Sequence, residues 1–170
     1  PTRNLTEADK DYAVAFCIPL NTPGLKMIAS PYGSGPKTSF THPVSSGHKM
    51  IETLTIFEDV FVPNDRVFLN GEWQFAGPLA KTFVEFHRFT AVSYKLPLLD
   101  LLVGSALLIA EHNGIDKAGH VREKLTWLIS YAQTVRMLTK MAAIEYTMQD
   151  GIAISNTEVV NIAKLHFASN

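Results

Sequence analysis

Hydrophobic and polar positions follow two different regimes along this chain, and the change falls near residue 76. Before it, short apolar runs are cut by turn residues. Tyr12–Leu20 (YAVAFCIPL) and Gly24–Ala29 (GLKMIA) predict β-strands joined by a turn at Asn21–Gly24. Ser30–Gly47 is rich in Gly, Pro and Ser and predicts a loop. Met50–Phe57 (MIETLTIF) predicts a third strand, with Glu52, Leu54 and Ile56 on one face. Val60–Val62, Pro63 and Arg66–Leu69 continue as strand, turn and strand.

After residue 76 the period changes. Gly77–Pro78 suits a helix start, and the helix is expected to reach about Ala110 with a kink at Pro97. Phe83, His87, Ala91, Tyr94 and Leu98 line one side of it, while Lys81, Glu85, Arg88 and Lys95 cluster on another. A second helix is expected over about His120–Gln149. Its stripe of Val121, Leu125, Leu128, Ala132, Val135, Thr139, Ala142 and Tyr146 steps by four and three, the spacing of a bundle seam. Ser155 and Glu158 form a capping box that opens a third helix running to the end of the chain. The fold class expected is α+β: an antiparallel β part over 1–75, then an antiparallel helical bundle over 76–170.

Composition sharpens this division. Seven of the nine prolines precede residue 76, so turn chemistry is concentrated in the first part. The 170 residues are 46% hydrophobic and 18% charged, enough for a sizeable core. The net charge of -1 gives no basic surface for nucleic acid or an anionic membrane. Leu96–Ala110 is the longest apolar stretch, and it is too short to span a bilayer. A single cysteine, Cys17, excludes a disulfide within the chain and is expected in the core. The chain opens on Pro1 directly into folded-looking sequence, and it is expected to be a piece of a longer protein.

No spacing in the chain names a chemistry. Gly33 and Gly35 lack the helix and Lys-Ser/Thr of a phosphate loop, and the histidines show no HxH or HExxH pattern. His87 reads either as a core histidine bonded to a carbonyl or to Tyr94, or as an acid–base group. Glu52 reads either as an edge carboxylate or as a placed acid or base. Lys95 continues the charged face of the first helix, and Arg122, Glu123, Lys124 and Arg136 read as a solvated face. Trp73 and Trp127 are expected in the core.

Two blocks carry a resemblance. LTIFEDVFVPNDRVF (Leu54–Phe68) resembles the end of the β domain in the acyl-CoA dehydrogenase superfamily. PTRNLTEADKDYAVAF (Pro1–Phe16), the Glu52 strand and FHRFTAVSYKLPLLDLLVG (Phe86–Gly104) are similar to one family within it. That family joins 4-hydroxybutyryl-CoA dehydratase/vinylacetyl-CoA Δ-isomerase with the flavin-dependent 4-hydroxyphenylacetate 3-monooxygenases, and the likeness is closest to the dehydratase branch. The resemblance implies the back part of a middle β domain and the first part of a C-terminal helical domain. It implies FAD as cofactor, an acyl-CoA or small aromatic substrate, a tetramer assembled through the helical domain, and a cytoplasmic enzyme.

Residue by residue, the resemblance makes Glu52 an active-site glutamate, His87 a cluster ligand and catalytic base, and Lys95 an active-site lysine. Burial and the charge of Glu52 would tune His87. Two positions depart: Ala91 stands where the dehydratase has a catalytic tyrosine, and Tyr94 where it has a cysteine of the [4Fe-4S] cluster. A normally ligated cluster is therefore not expected. The main expectation is proton abstraction and flavin chemistry on a short acyl-CoA. The alternatives are an aromatic monooxygenase using reduced flavin and a non-catalytic helical assembly module. The 170 residues alone are expected to be inactive.

Overall fold

A computed structural model describes residues 4–29, 38–44, 47 and 51–169. The chain divides into two compact units, Asn4–Ala76 and the segment from Gly77 onward. Gly33, Gly35 and Met50 lie outside the described residues.

The first unit is built from two antiparallel pairs. Strand β1 (Val14–Phe16) pairs with β4 (Val67–Asn70), and β2 (Leu25–Ala29) pairs with β3 (Thr53–Phe57). Ala13 and Leu69 are buried at the first pair. Phe16 of β1 meets Phe57 of β3 edge to face at 5.8 Å. Glycine is required at residue 24, where φ is +83° and an added Cβ would lie 2.1 Å from the Glu58 carbonyl oxygen. That close approach lets the Glu58 N–H donate to the Gly24 carbonyl at 2.9 Å, closing the β2–β3 pair.

The strands are shorter than their apolar runs. Glu7–Tyr12 forms a 3₁₀ turn capped reciprocally by Thr6 and Asp9, which leaves only Val14–Phe16 of the first run to pair. Beyond it, Pro19 has no N–H to give a ladder, and its carbonyl closes a turn with the Thr22 N–H. Val60–Val62 forms no strand, because the chain passes through Pro63 into a 3₁₀ turn at Asn64–Arg66. Glu52 lies just outside β3, since the ladder ends where Thr53 pairs with Ala29.

The second part is helical, with α1 (Trp73–Ser93), α2 (Lys95–His112), α3 (Gly119–Ile144) and α4 (Thr157–Ser169). The single kinked helix expected from Gly77 starts earlier, at Trp73, and is two helices. The break falls at Tyr94 rather than Pro97. Pro97 cannot donate to the carbonyl of Ser93, so the interruption appears one turn upstream of the proline. Gly114, at φ +65°, ends α2 by donating to the Glu111 carbonyl while Ile115 donates to Ala110.

Helix α3 buries the predicted seam at Ala132, Val135, Thr139 and Ala142. It stops at Ile144, five residues short of expectation. Residues 147–154 instead form a hairpin of β5 (Thr147–Gln149) and β6 (Ile152–Ile154). Asp150 and Gly151 both have positive φ, the conformation of a two-residue hairpin turn, so Gly151 is a turn residue and not a helix terminator. The cap of α4 is Asn156, not Ser155: its Oδ1 accepts from the Val159 N–H at 3.1 Å. Leu99, Ala132 and Val135 form the core of this unit, with Leu96, Val103, Tyr131 and Phe167 packed around them.

Three other expectations are corrected. Cys17 is exposed, one residue past the end of β1. Trp127 is exposed on the outer side of α3. Arg136 is not free in solvent but binds the Asp100 carboxylate of α2. The α1–α2 segment, Trp73–His112, is long and apolar enough to cross a membrane by length and composition alone. Within this unit that apolarity supplies Leu99 to the core.

Candidate functional site

His87 lies on the outer face of α1 and is exposed. One turn back, Phe83 stacks on its imidazole with ring centroids 5.3 Å apart and planes 14° from parallel. The i, i+4 spacing makes this contact, because residues four apart lie one above the other on a helix. The two rings form one wall of an open groove of about 420 Å³, lined also by Leu79, Thr82, Phe86 and Thr90. The Thr82 and Thr90 hydroxyls donate to the Pro78 and Phe86 carbonyls, so their oxygen lone pairs face outward as acceptors. His87 is thus neither a core histidine nor bonded to Tyr94. Its imidazole is open to solvent.

Lys95 starts α2 immediately after the break. Its side chain does not extend the charged face of α1. It is half-buried, with Nζ 4.1 Å from the centroid of the Phe167 ring on α4. Arg88 likewise leaves that face and donates to Asn161 Oδ1 at 2.6 Å. Lys81 and Glu85 form the remaining i, i+4 pair at 4.0 Å. Among the described residues, no hydrogen bond, ion pair or ring contact joins His87 to Lys95. Glu52 belongs to the first unit and is exposed. Tyr94 is half-exposed at 52%, and its N–H closes the last turn of α1 on the Thr90 carbonyl at 3.1 Å.

Sequence reasoning did not find Phe83 or Phe167 as partners of His87 and Lys95. The first was legible as an i, i+4 aromatic pair. The second depends on how α4 packs, which no local pattern carries. Nor did it find an apolar cavity of about 300 Å³ lined by Phe86, Phe89, Ala143, Tyr146, Ala153 and Ser155. Asp150-Gly151 between two short apolar triplets was the signal for the hairpin that bounds it.

The groove has the kind of lining that a flavin ring takes. Aromatic and aliphatic side chains with a few outward hydroxyl acceptors are the lining a planar, hydrogen-bonding ring system needs. Residue 94 offers a phenol, and iron–sulfur clusters are held by thiolates.

The β pairs, the helical bundle and this groove fall within one class. Residues 1–69 match the N-terminal model, and residues 76–170 the C-terminal model, of the 4-hydroxyphenylacetate 3-hydroxylase family. The chain belongs to that family. Among its relatives is the 4-hydroxybutyryl-CoA dehydratase/vinylacetyl-CoA-Δ-isomerase of Clostridium aminobutyricum, 39% identical over 142 residues, covering 79% of this chain and 28% of the relative. The oxygenase component of 4-hydroxyphenylacetate 3-monooxygenase from Thermus thermophilus is 35% identical over 138 residues, covering 80% of this chain and 29% of that one.

Solved structures agree. An oxygen-tolerant archaeal 4-hydroxybutyryl-CoA dehydratase from N. maritimus superposes with a TM-score of 0.80 at 28% identity, over 99% of this chain and 34% of its own. The oxygenase component of 4-hydroxyphenylacetate 3-monooxygenase, complexed with FAD and 4-hydroxyphenylacetate, superposes with a TM-score of 0.82 at 30% identity, over 94% of this chain and 34% of its own. The chain therefore spans about three tenths of the length of the curated relatives it matches.

Proposed function

We propose that the chain supplies the helical wall of a flavoenzyme active site whose substrate is a short acyl-CoA, and that His87 is its general base. The observation that carries this is the placement of His87: an exposed imidazole, oriented by Phe83, in an apolar groove beside hydroxyl acceptors. Bound FAD would supply reversible electron transfer with the substrate, and Phe83, Phe86 and the threonines of the groove would face it. His87 takes the proton from the carbon next to the thioester carbonyl, the double bond moves, and the same imidazolium returns the proton at the far end of the allyl system. Lys95 adds positive potential where the enolate oxygen develops. Glu52 is proposed as an acid–base group of the assembled protein. The family likeness supports the cofactor; the residue roles, a tetramer and a cytoplasmic location are part of the proposal.

No cluster is part of this reading, because Tyr94 stands at the ligand position. A phenol titrates near pH 10 when unperturbed and is a poor ligand at neutral pH. The full-length protein should therefore show a flavin spectrum without iron and sulfide. About four irons per subunit, lost in Tyr94→Phe, would show that the phenol ligates.

The test of the function is isomerisation of vinylacetyl-CoA by the full-length, FAD-loaded protein. His87→Asn should lower kcat by about 10²–10⁴, the range of a general base. Unchanged turnover would remove His87 from the mechanism. The second reading, hydroxylation of a small phenol by reduced FAD and oxygen, is favoured by Ala91 and Tyr94, since both depart from the dehydratase pattern. Formation of a catechol from 4-hydroxyphenylacetate, with no isomerase activity, would establish it instead.

A further inference from the structure

Lys95 is held in an unusual way for a lysine that carries charge to a site. Its Nζ lies 4.1 Å above the Phe167 ring, well inside the distance at which an aromatic face attracts a cation. Ion pairs among the described residues include Lys26 with Glu58, Lys81 with Glu85, and Arg136 with Asp100, whereas the contact seen for Lys95 is with a ring. The difference matters chemically. A carboxylate would fix the ammonium and also cancel its field. A ring face fixes it and leaves the full positive charge.

Phe167 is itself immobilised. Its backbone carbonyl accepts the Tyr131 hydroxyl at 2.9 Å, and its ring lies 6.2 Å from the Tyr131 ring. It also packs against the Leu99, Ala132 and Val135 core. One residue on α4, braced from α3, therefore sets where a charge on α2 sits. A free lysine side chain would sample many rotamers, and its field would be spread among them.

We propose that Phe167 is a positioning residue, one whose ring face holds the ammonium of Lys95 where the reaction uses it. This rests on the reading above that Lys95 acts in catalysis.

The test uses the full-length, FAD-loaded enzyme with vinylacetyl-CoA, together with the rate at which an amine-acylating reagent labels Lys95. Phe167→Leu should lower kcat about tenfold with KM nearly unchanged, and should speed labelling of Lys95 by a similar factor, as the ring contact is lost. Phe167→Tyr, which keeps the ring face, should restore both. In a Lys95→Ala background Phe167→Leu should cost nothing further in kcat, whereas a merely structural role would add its full loss. If Phe167→Leu impairs folding, Phe167→Met keeps the volume and removes the ring. Parent values of kcat and labelling in these variants, or full additivity with Lys95→Ala, would overturn the proposal. Parent turnover in Lys95→Ala would instead overturn the role of Lys95, and the proposal with it, whatever Phe167 does to labelling.

Discussion

At Gly24 the neighbouring backbone occupies the place a side chain would take. Gly24→Ala puts a Cβ 2.1 Å from a carbonyl oxygen in a left-handed conformation, so it should cost more than about 2 kcal/mol, read as a lowered thermal midpoint. Leu99→Ala empties a position only 1% exposed and should cost about 2–5 kcal/mol by the same measurement. Glu72 gives a pH prediction. The Asn70 N–H donates to its carboxylate at 2.6 Å and holds its pKa below the usual carboxylate range. A lowered native pKa means the contact stabilises the fold above the ordinary value of about 4.3 and is lost as pH falls through the native one. Glu72→Gln should therefore flatten the acid limb of a stability–pH curve by lowering its neutral plateau, with stability well below the native pKa nearly unchanged. Burial acts oppositely on Tyr131 and raises its phenol pKa, so any stability it adds fades only as alkali ionises the unfolded chain. At this scale the sequence marked His87 and Lys95 as candidates by their side-chain chemistry. It did not show their company, because the ring against Lys95 comes from a helix 72 positions downstream.

Among the elements, the break between α1 and α2 has the clearest local cause. Pro97→Ala restores a donor to the Ser93 carbonyl, and the two helices should then merge. Spin labels placed on either side of residue 94 would report a longer, narrower distance distribution. Activity should fall as Lys95 turns away from Phe167, even with stability unharmed. Asn156→Ala removes the cap of α4 and the bond from its Nδ2 to Glu145 at 3.1 Å, and should cost about 1 kcal/mol in thermal stability. The long seam of α3 was legible from its four-and-three spacing, since periodicity over seven turns outweighs any local ambiguity. The ends were not. Asp150-Gly151 was absorbed into a helix terminus because a glycine after an apolar stripe fits either role until φ is known. Tyr12–Leu20 looked like one strand because apolarity does not reveal that its first residue closes a 3₁₀ turn.

Across the whole molecule, large apolar side chains remain exposed, among them Phe61 at 79%, Phe83 at 64%, Trp127 at 69% and Leu165 at 68%. Exposed apolar side chains in such number, on each unit taken by itself, suit surface that another segment or subunit covers. The 170 residues expressed alone should therefore bind a hydrophobic dye strongly and show no turnover, and measurable isomerase activity from them would contradict the reading of a shared site. Residue 94 has a consequence of another kind. It sits between two helices, over half its side chain is in solvent, and no hydrogen bond from its hydroxyl ties it to the bundle among the described residues. Exchange there should carry little folding penalty, so Tyr94→Cys is expected to leave the thermal midpoint nearly unchanged while replacing a phenol by a thiol that air can oxidise.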